Sequence, residues 1–371
     1  MESTNTSYSG NKIKPALLWL LVLVFANLVY YPGLSGPFIF DDFGTLSQLG
    51  SLGGVKDWET FKAFVFSGSA GPTGRPVSHL SFLIDGTTWP TDPYPFKVTN
   101  LIIHLLCGSL IGLLSVQILH QISADKKGNL IVGSIVAALW LVHPFLISTT
   151  LYVVQRMAQL STLFCLLGLA GYFHGRLMMA RSKTKGYLWS SLSLAAGTVL
   201  ATFSKENGAI LPVLILVLEL TVIKAASTGI VSLDRRWFAC FLVLPSMVVI
   251  GYLLSYALRG DFFAISPKRN FSEYERLITQ SRILFDYLRH WFIPELFTSG
   301  VFHDQYTKST GLFSPLSTFF AVAGHLVIIS TVIIQRKKWP LVAFSVLFFY
   351  VAHLIESTFI LIELYFEHRN Y

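Results

Sequence analysis

Charge is what this chain has least of. Only 13% of its 371 residues are Asp, Glu, Lys or Arg, while 53% are hydrophobic and the mean hydropathy is +0.58. That balance excludes an ordinary soluble domain and a disordered chain. Cysteine is also scarce. Cys107, Cys165 and Cys240 lie far apart inside apolar blocks, so they read as small buried hydrophobes rather than a disulfide or metal set. No GxGxxG, Walker A, HExxH or CxxC pattern occurs, which removes the sequence signals of dinucleotide, P-loop and zinc chemistry. There is no repeat of fixed period and no low-complexity tract.

The chain does contain apolar blocks long enough to cross a bilayer, and in lipid such blocks must be helices. Nine spans are expected, at 15–32, 98–120, 130–143, 157–174, 187–203, 208–226, 237–258, 316–334 and 340–355. The expected fold is therefore an all-α integral membrane bundle forming one polytopic domain over 1–371. The polar start MESTNTSYSGNKIKP carries few charges and no small-residue cleavage site, so the first block reads as a retained anchor. With the N-terminus inside, the inner segments hold fourteen Lys and Arg against Glu2, Asp125 and Asp234. The +8 net charge is then largely positive-inside charge and calls for no nucleic acid. In this frame 33–97, 144–156, the SKEN turn, 259–315 and the C-terminal tail share the outer side.

The unusual polar residues fall on that side. In FIFDDFG, Asp41 and Asp42 stand just beyond the first span between phenylalanines. They read either as cap or turn carboxylates or as a partly desolvated pair. In the second case like-charge proximity raises one pKa and makes a general base. Arg156, with His143, brackets a connection too short for a free loop, which is expected to lie along or re-enter the membrane. Arg156 either snorkels to headgroups or clamps a phosphate with its paired donors. Lys205 and Glu206 either neutralise one another or mark a site, since buried charge between spans is costly. Apolar residues recur at helical spacing over 271–295, predicting interfacial helices with Arg276, Arg282, Arg289, Tyr287 and His290 on their polar face. Helical spacing also places Glu356, Glu363 and Glu367 on one face, ahead of His368 and Arg369. Arg75, His79 and His104 add polar groups that are weak evidence singly. A divalent cation on Asp41 and Asp42 is open, with no tight ligand spacing to require it.

The segments FIFDDFG, GRPVSHLSF, FKVTNLIIHLL, WLVHPFLISTTLYVVQRMAQLSTLF, FSKENGAILP, ERLITQSRILFDYLRHWFIPE and IELYFEHRNY occur in this order along nearly the whole chain. In that order it resembles the GT-C superfamily of polytopic glycosyltransferases, among them the bacterial relatives of the transmembrane-and-tetratricopeptide O-mannosyltransferases. Its likeness is greatest to the pilin arabinofuranosyltransferases. The resemblance implies transfer of one sugar, such as arabinofuranose, from a polyprenyl-phosphate donor to Ser or Thr of an exported pilin-like protein. It implies this at the periplasmic face of a bacterial inner membrane, with membrane lipids as neighbours. It also implies Asp41 as base beside Asp42, and Arg156, Lys205, Arg282 and Arg369 as holders of the donor phosphate. The remaining candidates are Arg75, His79, His104, His143, Glu206, Tyr287, Glu367 and His368. The chain lacks a tetratricopeptide array and ends at Tyr371 where relatives continue, so it reads as a compact member or a shortened one. A carrier-lipid flippase, an envelope-glycan transferase and an enzyme using a pyrophosphate-linked donor are the rival readings.

Overall fold

The structure is a computed structural model that describes residues 15–66, 68–69, 71–123, 125–225, 230–258, 261–267, 269–294 and 306–371. It is all-helical, with no strand among the described residues. Helices stand at all nine expected places, but six are long and apolar enough to cross a membrane: Leu17–Ser35, Pro93–Leu119, Val153–Met178, Glu206–Ile223, Arg235–Ala257 and Ser317–Gln335. A seventh span arises if Lys126–Leu141 and Pro144–Leu151, bent by 56° at their junction, are taken as one. Two of the nine expected spans do not qualify. Lys183–Ser204 is long, but Lys183, Lys185 and its Ser and Thr residues dilute its apolar character. Pro340–Ala352 is apolar but has 13 residues, about 20 Å of helix against about 30 Å of hydrocarbon.

The bundle core forms where Arg156–Met178 runs against Lys183–Ser204 and Pro93–Leu119. Small residues make that approach possible. A side chain at Gly175 would collide with Ser190, and one at Gly197 would meet Gly168, the close backbone contact on which membrane helix packing relies. Arg156 and Arg176 sit near opposite ends of this helix, about 30 Å apart at 1.5 Å per residue, which matches the hydrocarbon thickness. Arg176 is buried against Glu219 at 2.6 Å, and Tyr172 donates to the same carboxylate at 2.6 Å. Arg156 lies at the other end, beside the loops that carry most of the candidate residues.

Glu273–Phe292 forms one outer helix rather than several. It starts at a capping box in which Ser272 and Glu275 satisfy each other's backbone N–H groups. Its polar face was expected to be mostly solvated, yet Arg276, Tyr287 and His290 are buried. The reason is the C-terminal strap, 353–366, which lies across it. The last long helix ends at Ala352, and no regular helix follows until the short turn Glu367–Asn370, so the expected acidic helix face over 356–367 does not form. The strap's carbonyls find side-chain donors instead of an i to i−4 ladder. Arg276 donates to Ile362 at 3.0 Å, to Glu356 at 2.6 Å, to Glu363 at 3.4 Å and also to the Thr358 carbonyl. Gln280 donates to Leu364 at 2.7 Å, and the Tyr287 hydroxyl exchanges two 3.0 Å bonds with Phe366.

Lys in place of Arg276 cannot reach four carbonyls, and each buried acceptor left unpaired costs about 1–3 kcal/mol. Arg276→Lys is expected to lower the thermal unfolding midpoint by several degrees and to open 353–366 to proteolysis. Limited digestion followed by peptide mapping checks both; an unchanged cleavage pattern would remove the clamp from this account.

Candidate functional site

One cleft of about 430 Å³ opens between the loop that follows the first span, the 152–157 turn, the Lys205 turn and the C-terminal strap. Six of the sequence candidates line it: Asp41, Arg75, His79, Lys205, His368 and Arg369. Glu206 is not in the lining but pairs with Arg75, which is. Residues from five distant stretches of sequence thus meet at one end of the bundle.

The adjacent acids have separate jobs. Asp42 is buried, its Oδ2 accepting the Ile39 N–H at 3.0 Å and its Oδ1 the Val154 N–H at 2.7 Å. Asp41 is exposed in the cleft, where its N–H donates to the Tyr152 hydroxyl at 2.9 Å. Burial raises the Asp42 carboxyl from 3.8 to about 6, against the pull of its backbone donors and Lys97. The perturbed acid is therefore the anchoring one, and desolvation rather than its neighbour's charge is the main cause. With both Asp42 oxygens bound to the backbone, the two acids do not present a joint ligand pair. Among the described residues no group of three or more His, Cys, Asp or Glu is placed to hold a metal ion.

Backbone strain gathers here too. The two non-glycine residues with positive φ among those described are Phe40 (43°), directly before Asp41, and Arg75 (52°), the kind of cost that native structures hold at functional sites. Arg75 forks onto the Glu206 carboxylate at 3.0 and 2.8 Å, and Thr73 adds its hydroxyl at 2.8 Å. Gly71, at φ 79°, leaves room for that carboxylate, because any side chain would overlap it. Lys205 and Glu206 do not neutralise one another. Lys205 turns inward to Glu356 at 2.6 Å, and burial lowers its pKa while Glu356 raises it. Glu356, seen in the sequence only as part of an acidic run, is thus the partner that reasoning missed. Lys205 and Arg369 hold its carboxyl below the ordinary range against desolvation.

Among the described residues, Arg369 is the cation in the cleft with no direct carboxylate partner. Its guanidinium donates to the carbonyls of Leu364 at 2.8 Å and Glu363 at 2.5 Å, and its Nε is buried without a protein acceptor. His368 beside it has its pKa pushed well down by burial and by Lys205, so the ring is neutral. A second, narrow cavity of about 90 Å³ continues from the cleft between helices. Its walls are mostly apolar, including Leu166, Leu169, Ile210, Leu214 and Phe348 beside Ser161, Thr162 and Asn207, and it shares Lys205, His368 and Arg369 with the cleft.

Six candidates lie elsewhere. Arg156 does not face the cleft, which corrects its expected role as a phosphate clamp. It is fully buried, paired with Asp85 at 2.5 Å and donating to Asn100 at 2.7 Å and to the carbonyls of Ser81 and Phe96 at 2.9 and 2.8 Å. Phe82 and Phe96 enclose it with their rings. Its donors are used, and an approaching phosphate would find none. Arg282 lines a separate open pocket with Asp286 and donates to the Thr307 carbonyl at 2.9 Å. Tyr287 belongs to the clamp on the strap. His104 bridges the Tyr371 hydroxyl and the Leu141 carbonyl, each at 2.9 Å. His143 caps the following turn through Phe145 at 3.3 Å and reaches the Trp291 carbonyl at 3.2 Å. Glu367 is buried and does not line the cleft.

Compared with protein-family models, with curated proteins and with solved structures, the chain matches none.

Two outcomes follow. Arg156→Lys is expected to lower the unfolding midpoint, because Lys cannot replace the fork onto Asp85, Asn100 and two carbonyls. Finding a normal midpoint would contradict the packing role. For Asp42 the folded pKa lies above the unfolded value, so the stability it contributes is greatest below pH 3.8 and falls as pH rises through about 6, by up to about 1.4 kcal/mol per pH unit. Melting curves of wild type and Asp42→Asn across that window should converge as pH rises; a constant gap would count against it.

Proposed function

We propose that this membrane protein is a glycosyltransferase of the GT-C kind. In this reading it moves a single sugar from a polyprenyl-phosphate carrier to a Ser or Thr hydroxyl of an exported, pilin-like protein, with inversion at the anomeric carbon. The setting is the periplasmic face of a bacterial inner membrane. The observation that carries the reading is the meeting of two cavities at two cations and a histidine. A polar cleft holding an exposed carboxylate and an apolar groove between helices share Lys205, His368 and Arg369. A lipid phosphate bearing a sugar has those three parts in that order.

In this reading the isoprenoid chain lies along Leu166, Leu169 and Leu214, and its phosphate rests against Arg369 and Lys205. Arg369 already has its charge free of a direct carboxylate partner, so an anion gains an interaction without breaking one. Lys205 shares its charge with Glu356. The sugar then occupies the cleft, and Asp41 takes the proton from the acceptor hydroxyl as its oxygen attacks the anomeric carbon. The bond from that carbon to the phosphate oxygen breaks, and the phosphate leaves with its charge held by cations fixed beforehand. The phosphate–sugar bond supplies the driving force, so no nucleotide is needed on this side. Asp42 serves indirectly, by fixing the loop that presents Asp41. A flippase finds less support, because the polar lining gathers at one end of the bundle instead of crossing it.

Asp41→Asn is expected to cut transfer by about 10²–10⁴-fold, the usual worth of a general base, with an unchanged melting curve. Arg369→Gln is expected to weaken donor use more than acceptor use. Purified protein given phosphate-linked and pyrophosphate-linked sugars in parallel, with product read by mass spectrometry, tests both. Wild-type rates from Asp41→Asn, or turnover of the pyrophosphate donor alone, would overturn this function.

A further inference from the structure

Beside the cleft lies a groove of about 330 Å³ between 48–55 and the helix Trp58–Phe66. It shares Gln48 and Ser69 with the cleft, so the two adjoin. The described residues lining the groove include no ionisable side chain, although the cleft next to it is lined by acids and bases. Leu49, Leu52, Val55 and Phe64 make an apolar floor, and the polar groups are hydroxyls and the Gln48 amide.

His79 stands near this junction, on the cleft side. It is 1% exposed, and its Nδ1 is 2.9 Å from the Phe64 carbonyl. A carbonyl only accepts, so Nδ1 carries the hydrogen and Nε2 of the neutral ring is an acceptor. That Nε2 has no hydrogen-bond partner among the described residues. A buried acceptor without a donor is costly, and a ligand N–H or O–H reaching it would remove the cost.

We infer that this groove receives the acceptor as an extended, uncharged peptide segment of small and hydroxyl residues, and delivers its Ser or Thr to Asp41 past Gln48, Ser69 and His79. The inference rests on the function proposed above and names its acceptor class. A peptide fits better than a sugar chain. Its side chains supply hydrocarbon to the apolar floor, while a sugar ring carries hydroxyls on nearly every edge and would leave them unpaired there. Charged peptides are disfavoured by the same physics, since the described lining offers no ionisable side chain, and the charges at its edge, Asp57 bonded to Thr60 at 2.9 Å and Lys56 beside Gly54, are one of each sign.

The test is direct binding, by fluorescence anisotropy, of acetylated and amidated Ala/Gly/Ser/Thr octapeptides to the full chain in detergent. Probes carry Thr at the centre and either a neutral residue, Asp or Lys two positions away. Wild type should bind the neutral peptide at least tenfold tighter than either charged one. Leu52 is 61% exposed, so a charge there is compatible with folding. Leu52→Lys should shift preference to the Asp peptide and Leu52→Asp to the Lys peptide, and this crossed rescue also reports intact folds. Equal binding of all three peptides to all three proteins overturns the inference, as does no binding or displacement by a neutral oligosaccharide. If the charge pattern appears but no sugar is transferred, the glycosyltransferase reading fails and the groove assignment stands. If transfer occurs without the pattern, the reverse holds.

Discussion

The candidate site depends on a guanidinium that never reaches it. Arg276 is fully buried and spends its donors on the carbonyls of the strap that follows the last long helix. A chain of that kind, irregular and packed inside protein, is tolerated near a membrane only when its backbone groups find partners. With the strap pinned, Glu356 meets Lys205 and Arg369 comes to the junction of the polar and apolar cavities. The amphipathic outer helix is thus a scaffold for the C-terminal residues more than a float on the bilayer.

A similar division of labour runs through the rest of the site. Of two neighbouring acids, one anchors and one faces the cleft; of two neighbouring residues in the SKEN turn, each pairs with a different remote partner. Alternation along the chain explains this. Successive residues at a helix start or a tight turn point in different directions, so adjacency in sequence does not bring two side chains to one target. Asp42 holds loop to turn across 112 residues of sequence, and that tie fixes where Asp41 stands.

Much of this was legible in the sequence. Apolar blocks located the long apolar helices, and helical spacing over 271–295 located Glu273–Phe292. The positive-inside count put the loops of Asp41, Arg75, Lys205 and Arg369 on one side, where the structure brings them to one cleft. What the sequence could not give was partnership. Nothing in the local pattern of Arg156 points to Asp85, 71 positions earlier, and without that pair it looked like a free clamp. Glu356 was visible only as part of an acidic run whose periodicity predicted a helix; tertiary bonds from Arg276 favoured an irregular strap instead. Of the nine expected spans, six, or seven with the bent pair, have the length and composition of a crossing helix among the described residues. The reason is that a helix packed on protein and a helix crossing lipid share their period, and length and polarity separate them only at the margins.

The meeting of the narrow apolar groove with the cleft has a consequence for how a ligand arrives. On the function proposed above, a molecule that fills both is an amphiphile, and it would reach the cations sideways through the hydrocarbon, by diffusion in two dimensions. Its occupancy is then governed by its mole fraction among the surrounding lipids, and diluting the membrane with inert lipid should act on the protein as diluting a substrate acts on a soluble enzyme.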